Sequence, residues 1–145
     1  MKTFIDTNVL IYWVDGSARA DVVEQLLAQE CVISVQVLNE FSNVLRKKRA
    51  MPLADIQALS DTLVSVCEVY DLNLATHQTA LALLERYKLS IFDANIVAAA
   101  GLSGCTILYS EDMQHGINIQ IPMPNASGTG VSVVSINNPF HGMPK

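Results

Sequence analysis

The sequence predicts a layered α/β fold: a single domain with a mainly parallel central sheet covered on both faces by helices. Three observations lead there. Short apolar runs of strand length alternate with segments of helical period for most of the chain, which is the pattern of successive βα units. Half of the residues are hydrophobic while aromatics make up only 6%, so small aliphatic side chains must fill the interior, as between buried parallel strands. A length of 145 residues suits one domain large enough to bury a proper core.

Element by element, residues 2–6 read as a short strand ending in an acid. Residues 7–14 form a helical turn or two, stopped by Asp15-Gly16. Ser17 can cap the next helix, whose Val22, Val23, Leu26 and Leu27 fit helical spacing. Residues 31–34 are a second strand. A helix follows over residues 35–49, with Val37, Leu38, Phe41, Val44 and Leu45 in one stripe and a basic run in the last turn, where cations suit the helix dipole. Pro52 opens a helix carrying Ile56, Leu59, Leu63, Val64 and Val66, and a short strand comes at residues 68–72. Thr76 is expected to cap a helix reaching Tyr87. Ser90 starts a shorter helix running to Gly101, with Ile96, Val97 and Ala100 on a dense apolar face. Residues 106–109 make a strand. Ile117, Ile119 and Ile121 alternate with polar residues as in a half-exposed strand. Residues 122–130, rich in Pro, Gly, Ser and Asn, read as a loop. Residues 131–136 form a last strand that can pair with residues 117–121 as a hairpin. No internal repeat is present.

A net charge of −5 argues against a general basic-surface DNA binder. The bases are unevenly placed, though: Arg46, Lys47, Lys48 and Arg49 hold four of the nine in one run. Cys31, Cys67 and Cys105 are odd in number and lack metal-type spacing, so buried reduced thiols are expected rather than a disulfide or a zinc site. Asp6 interrupts the first apolar run where a signal peptide would continue it, and no apolar stretch reaches membrane-spanning length. A cytoplasmic protein without membrane contact is the expectation.

Four acids sit in or directly after apolar stretches: Asp6, Glu40, Asp93 and Asp112. Burying a carboxylate without a partner costs on the order of several kcal/mol, and basic partners are few. Asp6 ends the first strand, where ligands bind in open α/β sheets; a helix cap is the alternative reading. Glu40 lies along the apolar stripe of its helix, with Val37, Phe41 and Val44 around it, either paired, metal-bound or at the stripe's edge. Asp93 fits the fourth position of a capping box begun by Ser90, yet shares a face with Ile96, Val97 and Ala100. Asp112 follows the strand at residues 106–109; an exposed turn acid is the plain reading there. Glu111 is its neighbouring rival, and Ser110 favours Asp112 because its hydroxyl can orient a site. Parallel strands bring such ends to one edge. Packed together without a cation, four carboxylates would raise one another's pKa. Mg²⁺ or Mn²⁺ relieves that and prefers oxygen ligands. His77, His115 and His141 show no ligand pairing with one another or with a cysteine, which disfavours zinc.

These residues resemble the PIN-domain ribonuclease family and, within it, the VapC-type toxins of bacterial toxin–antitoxin pairs. The matching segments are Phe4-Ile5-Asp6-Thr7-Asn8-Val9-Leu10, Leu38-Asn39-Glu40-Phe41, the run from Leu89-Ser90-Ile91-Phe92-Asp93 through Ala100, and Leu108-Tyr109-Ser110-Glu111-Asp112. Each is short; all four in order at family spacing are specific. Similarity runs from residue 1 to about 116, with an echo in Asn138-Pro139-Phe140. The expected organisation is a PIN-like nuclease domain over 1–121 and a loop-rich C-terminal extension, 122–145, packed on it.

The resemblance implies an α/β/α sandwich whose acidic pocket binds Mg²⁺ or Mn²⁺ and cuts RNA, leaving 5′-phosphate and 3′-hydroxyl ends. By position, Asp6, Glu40, Asp93 and Asp112 would be the catalytic and metal-binding acids, with Thr7, Asn8 and Ser110 as the supporting polar shell. A homodimer, an RNA substrate and a cognate antitoxin are the implied partners. The run from Arg46 to Arg49 can hold RNA phosphates or be an ordinary solvated helix end. Tyr12, Trp13 and Tyr109 can stack bases, or be core or dimer-interface aromatics. Two rivals stand beside this reading. A haloacid-dehalogenase-type phosphatase needs a second acid two residues after its nucleophile, where this chain has Asn8. A PIN fold without catalysis would serve as an RNA-binding or protein-interaction scaffold.

Overall fold

The computed structural model describes residues 1–123 and 130–144. Its centre is a six-stranded sheet in the order β3-β2-β1-β4-β6-β5. The strands are β1 (Thr3–Ile5), β2 (Cys31–Ser34), β3 (Glu68–Tyr70), β4 (Ile107–Tyr109), β5 (Asn118–Met123) and β6 (Gly130–Asn137). All neighbours run parallel except β5, which forms an antiparallel hairpin with β6. Every residue of β1 and β2 is buried, so these strands read as continuous apolar runs, as strands covered on both faces must.

Among the described residues six α-helices flank the sheet: α1 (Thr7–Leu10), α2 (Ala18–Leu27), α3 (Val35–Lys48), α4 (Leu53–Val66), α5 (Leu74–Arg86) and α6 (Ile91–Leu102). A 3₁₀ turn over Ile11–Val14 continues α1. The α6 helix is apolar almost all round, with Ile96 to Gly101 buried, as suits a helix enclosed by its neighbours. Gly101 lies so close to Ile121 of β5 that a Cβ would fall 2.4 Å from its Cδ1; the absence of a side chain lets helix and sheet approach. No helix among the described residues is long and apolar enough to cross a membrane.

Several local expectations need correcting. Asn73, rather than Thr76, caps α5: its Oδ1 accepts from the Thr76 amide at 3.1 Å, while Thr76 Oγ1 accepts from the Asn73 amide at 3.4 Å. Thr76 is thus the inner half of a reciprocal capping box. Ser17 stands at the cap position of α2 but makes no side-chain capping bond. Val64 and Val66 are 52% and 48% exposed, because α4 turns only Ile56 and Leu63 fully inward. The third strand stops at Tyr70. Pro122 belongs to β5, opposite Val131; an edge strand tolerates the missing amide donor. The remainder of the expected loop, residues 124–129, lies outside the described residues. Position 121 is inside β5, and β6 sits between β4 and β5 with Leu108 opposite Ile136.

Candidate active site

The strands β1, β2 and β4 all run the same way, so their carboxyl ends, and the residues just beyond, emerge at one edge of the sheet. Asp6 comes directly after β1 and Ser110 directly after β4, with the Asp6 amide donating to the Tyr109 carbonyl at 2.9 Å. Ser34 ends β2, and its hydroxyl accepts from the Val37 amide at 3.2 Å. That cap starts α3 at the same edge and aims Glu40 back across it. Ser90 caps α6 in the same manner, accepting from the Asp93 amide at 3.1 Å, which places Asp93 in the first turn.

Asp6 is only 5% exposed, and both its oxygens are held. Oδ1 accepts from the Thr7 amide at 2.7 Å. Oδ2 accepts from the Ser110 hydroxyl at 2.9 Å and from Asn8 Nδ2 at 3.2 Å. Asn8 also receives the Glu111 amide on Oδ1 at 3.0 Å, tying the loop after β4 to the start of α1. Glu40, half-buried, accepts from the Thr7 hydroxyl at 3.0 Å and from Gln36 Nε2 at 2.8 Å. Thr7 therefore bridges the two acids through its amide and its hydroxyl. Asp93 is half-buried and Asp112 exposed.

All four acids line one open cleft of about 540 Å³, together with Thr7, Asn8, Asn43, Glu111, Lys48 and Arg49. Ser110 stands behind Asp6, fully buried. The electrostatics are those of crowded negative charge. Burial pushes the Asp6 carboxyl up to about 6 from an ordinary 3.8. The Ser110 hydroxyl and Thr7 amide pull it down, and the charges of Glu40 and Asp93 push it further up. Asp93 is raised as well, by burial first and then by Asp112 and Glu40. Of the basic run, Lys48 and Arg49 reach the cleft and Arg46 and Lys47 do not; Arg49 is ion-paired with Asp15.

Among the described residues, no three His, Cys, Asp or Glu side chains are drawn together tightly enough to cage an ion as they stand. The fit to a cation lies in donor chemistry and charge. The acids offer oxygen only, as Mg²⁺ or Mn²⁺ prefers, and Asp6 is buried with two other acids raising its pKa.

One group of residues beside the cleft is not evident from the sequence. Glu111 accepts from Arg19 Nη1 at 2.7 Å and from the Tyr12 hydroxyl at 2.9 Å. The Arg19 guanidinium lies 4.9 Å from the Tyr12 ring centre and 4.8 Å from that of Phe140. Glu111 is thereby engaged away from Asp6, whereas the Asp112 carboxylate accepts no hydrogen bond among the described residues. Tyr12 is committed to this cluster. Trp13 donates to Glu24 at 2.7 Å and leans on Phe41, ring centres 6.5 Å apart. Tyr109 is half-buried against the core.

A match to the PIN domain family extends over residues 3–115. The chain belongs to the PIN domain family. Solved PIN-fold structures agree with its architecture. VapC20 of Mycobacterium tuberculosis, a toxin that cleaves the sarcin–ricin loop, superposes with a TM-score of 0.62 at 25% identity, over 76% of this chain and 89% of that one. A toxin–antitoxin complex from Klebsiella pneumoniae gives 0.61 at 24% identity, over 74% and 84%. VapBC2 of Rickettsia felis, bound to a promoter DNA fragment, gives 0.59 at 18% identity, over 76% and 86%. No curated protein sequence matches the chain. The expected family and fold class, a mainly parallel VapC-like PIN domain, are therefore those of the molecule, and at family level it is placed among nucleases.

Proposed function

We propose that this protein is a divalent-metal-dependent endoribonuclease and acts as the toxin of a type II toxin–antitoxin pair. The observation that carries the reading is the meeting of Asp6, Glu40, Asp93 and Asp112, from four separate segments, on one cleft. Keeping such a set charged at neutral pH is unfavourable for the fold alone, which points to a bound cation as the reason for it.

In this reading the four acids hold Mg²⁺ or Mn²⁺. When bound, the ion supplies charge neutralisation at the scissile phosphate and acidifies water for attack. The chain's own residues do the positioning. The Thr7 amide, Asn8 and Ser110 fix the Asp6 oxygens, so that acid has little freedom left to lose. Thr7 and Gln36 orient Glu40 in the same way. Asp93 and Asp112 lie nearer solvent, and one of the four acids takes the proton from an attacking water. Lys48, at the cleft rim, meets the RNA backbone as a sequence-blind phosphate contact.

The same reading supplies the partners. The similar structure from Klebsiella pneumoniae is a toxin–antitoxin complex, which supports a cognate antitoxin here. Phe92 is 68% exposed, next to Leu72 and Val35 beside Glu40; this apolar patch supports a homodimer. The cytoplasm is the proposed compartment. The test is cleavage of RNA by the purified protein with Mn²⁺ or Mg²⁺, compared with EDTA and with Asp6→Asn. Metal-dependent cleavage lost in the variant is expected. Equal RNA binding without cleavage in the unaltered protein, metal present, would favour the catalytically silent scaffold instead.

A further inference from the structure

We propose that Cys31 and Cys67 are a modification site: a buried dithiol that peroxide converts to a disulfide joining β2 to the strand beside it. Their Sγ atoms lie 3.3 Å apart. Cys31 opens β2 and Cys67 directly precedes β3, one step before the paired residues Val32 and Glu68. Adjacent strands lie about 4.7–4.9 Å apart, inside the Cα separation of roughly 4.4–6.8 Å that a disulfide accepts. Closing the sulfur contact to about 2.05 Å therefore asks for side-chain rotation and no rearrangement of the sheet.

The sequence alone suggests three buried reduced thiols, and the structure separates them. Cys105 is also buried, but its sulfur faces the Ser103 hydroxyl at 3.5 Å and no other thiol. Within the pair either sulfur can donate to the other, so whichever thiol loses its proton is the first nucleophile.

The chemistry closes with hydrogen peroxide as oxidant. One of the two sulfurs, as thiolate, attacks one peroxide oxygen, the O–O bond breaks, and a sulfenic acid and hydroxide result. The other sulfur then attacks the oxidised Sγ 3.3 Å away, the S–S bond forms, the S–O bond breaks, and hydroxide leaves. The two protons originally on the thiols neutralise the two hydroxides, so two thiols and one peroxide give one disulfide and two waters. The two cysteines lie at the amino ends of their strands, while Asp6, Ser34 and Ser110 mark the carboxyl ends. The bond would enclose α3 and α4 in a covalent loop without entering the acid cleft, restricting the unfolded chain.

The test uses the reduced full chain exposed to hydrogen peroxide under native conditions, quenched and mapped without reductant. The expected result is a peptide pair linked through Cys31 and Cys67, a free-thiol titre reduced to Cys105, and a thermal midpoint raised by several degrees that falls back on reduction. Cys31→Ser should give neither the linked pair nor the shift. Absence of the linked pair from the folded wild-type chain, or its formation only after denaturation, overturns the proposal. That wild-type map does not depend on the variant folding.

Discussion

Replacing Asp6 by Asn should make the metal-free protein more stable at neutral pH, and the geometry sets the size of the gain. A carboxyl raised from 3.8 to about 6 in the folded state takes up a proton on folding. Stability therefore falls as pH rises between those two values and is flat above the higher one. The full penalty is about 3 kcal/mol. Asn removes the charge but not without loss. Its Oδ1 still accepts from the Thr7 amide and Ser110 can turn its hydroxyl, yet its NH₂ group faces Asn8 Nδ2, now donor against donor where Asp6 Oδ2 accepted at 3.2 Å. That mismatch costs about 1 kcal/mol. The net gain above about pH 7 is about 2 kcal/mol, or about 5–10 °C in Tm. At about pH 4.5 the two effects cancel, and below it the wild type is the more stable protein. Urea titrations in EDTA across this range read the crossover directly. Added Mn²⁺ should stabilise the wild type alone, by about 2.7 kcal/mol at a hundredfold excess over Kd. A variant less stable than wild type throughout, with a difference that ignores pH, would refute the argument that Asp6 is held charged against its surroundings.

Three further outcomes are expected. Asp93→Asn should abolish RNA cleavage while the fold persists, since the α6 cap uses the Asp93 backbone amide and the Ser90 hydroxyl. In EDTA its stability should be unchanged or raised by less than about 1 kcal/mol, the charge being half-exposed and screened; unfolding of the metal-free variant would make Asp93 chiefly a capping residue. Lys48→Glu should weaken RNA binding and lower the salt slope by about 1, whereas Lys47→Glu, away from the cleft, should do much less; equal effects in filter binding at several salt concentrations would remove the cleft rim from the RNA path. Gly101→Ala should destabilise by about 1–3 kcal/mol through overpacking against Ile121, read by thermal denaturation, and an unaltered midpoint would mean that α6 can move off β5.

The convergence of the acids was legible because it rests on short-range rules. Asp6 and Ser110 come directly after strands, parallel strands put such ends at one edge, and Glu40 and Asp93 are placed by helical period after Ser34 and Ser90. What the sequence did not disclose depends on contacts between distant segments. Arg19 and Tyr12 reach Glu111 across 92 and 99 residues, and no local pattern marks them. The same holds for the strand order: alternation suggested the hairpin of β5 and β6 but not that β6 would enter beside β4. The cap of α5 was misplaced by one turn because Asn73 and Thr76 both suit a helix start, and only the reciprocal bonds decide between them. Val64 and Val66 show the limit of composition, since an apolar side chain on a helix need not face the core.

The most direct measurement is anomalous diffraction from a crystal of the protein soaked in Mn²⁺. A peak within coordination distance of carboxylate oxygens from Asp6 and its three companions is the predicted result. Full soaking with the cleft open and no manganese signal there would contradict the account.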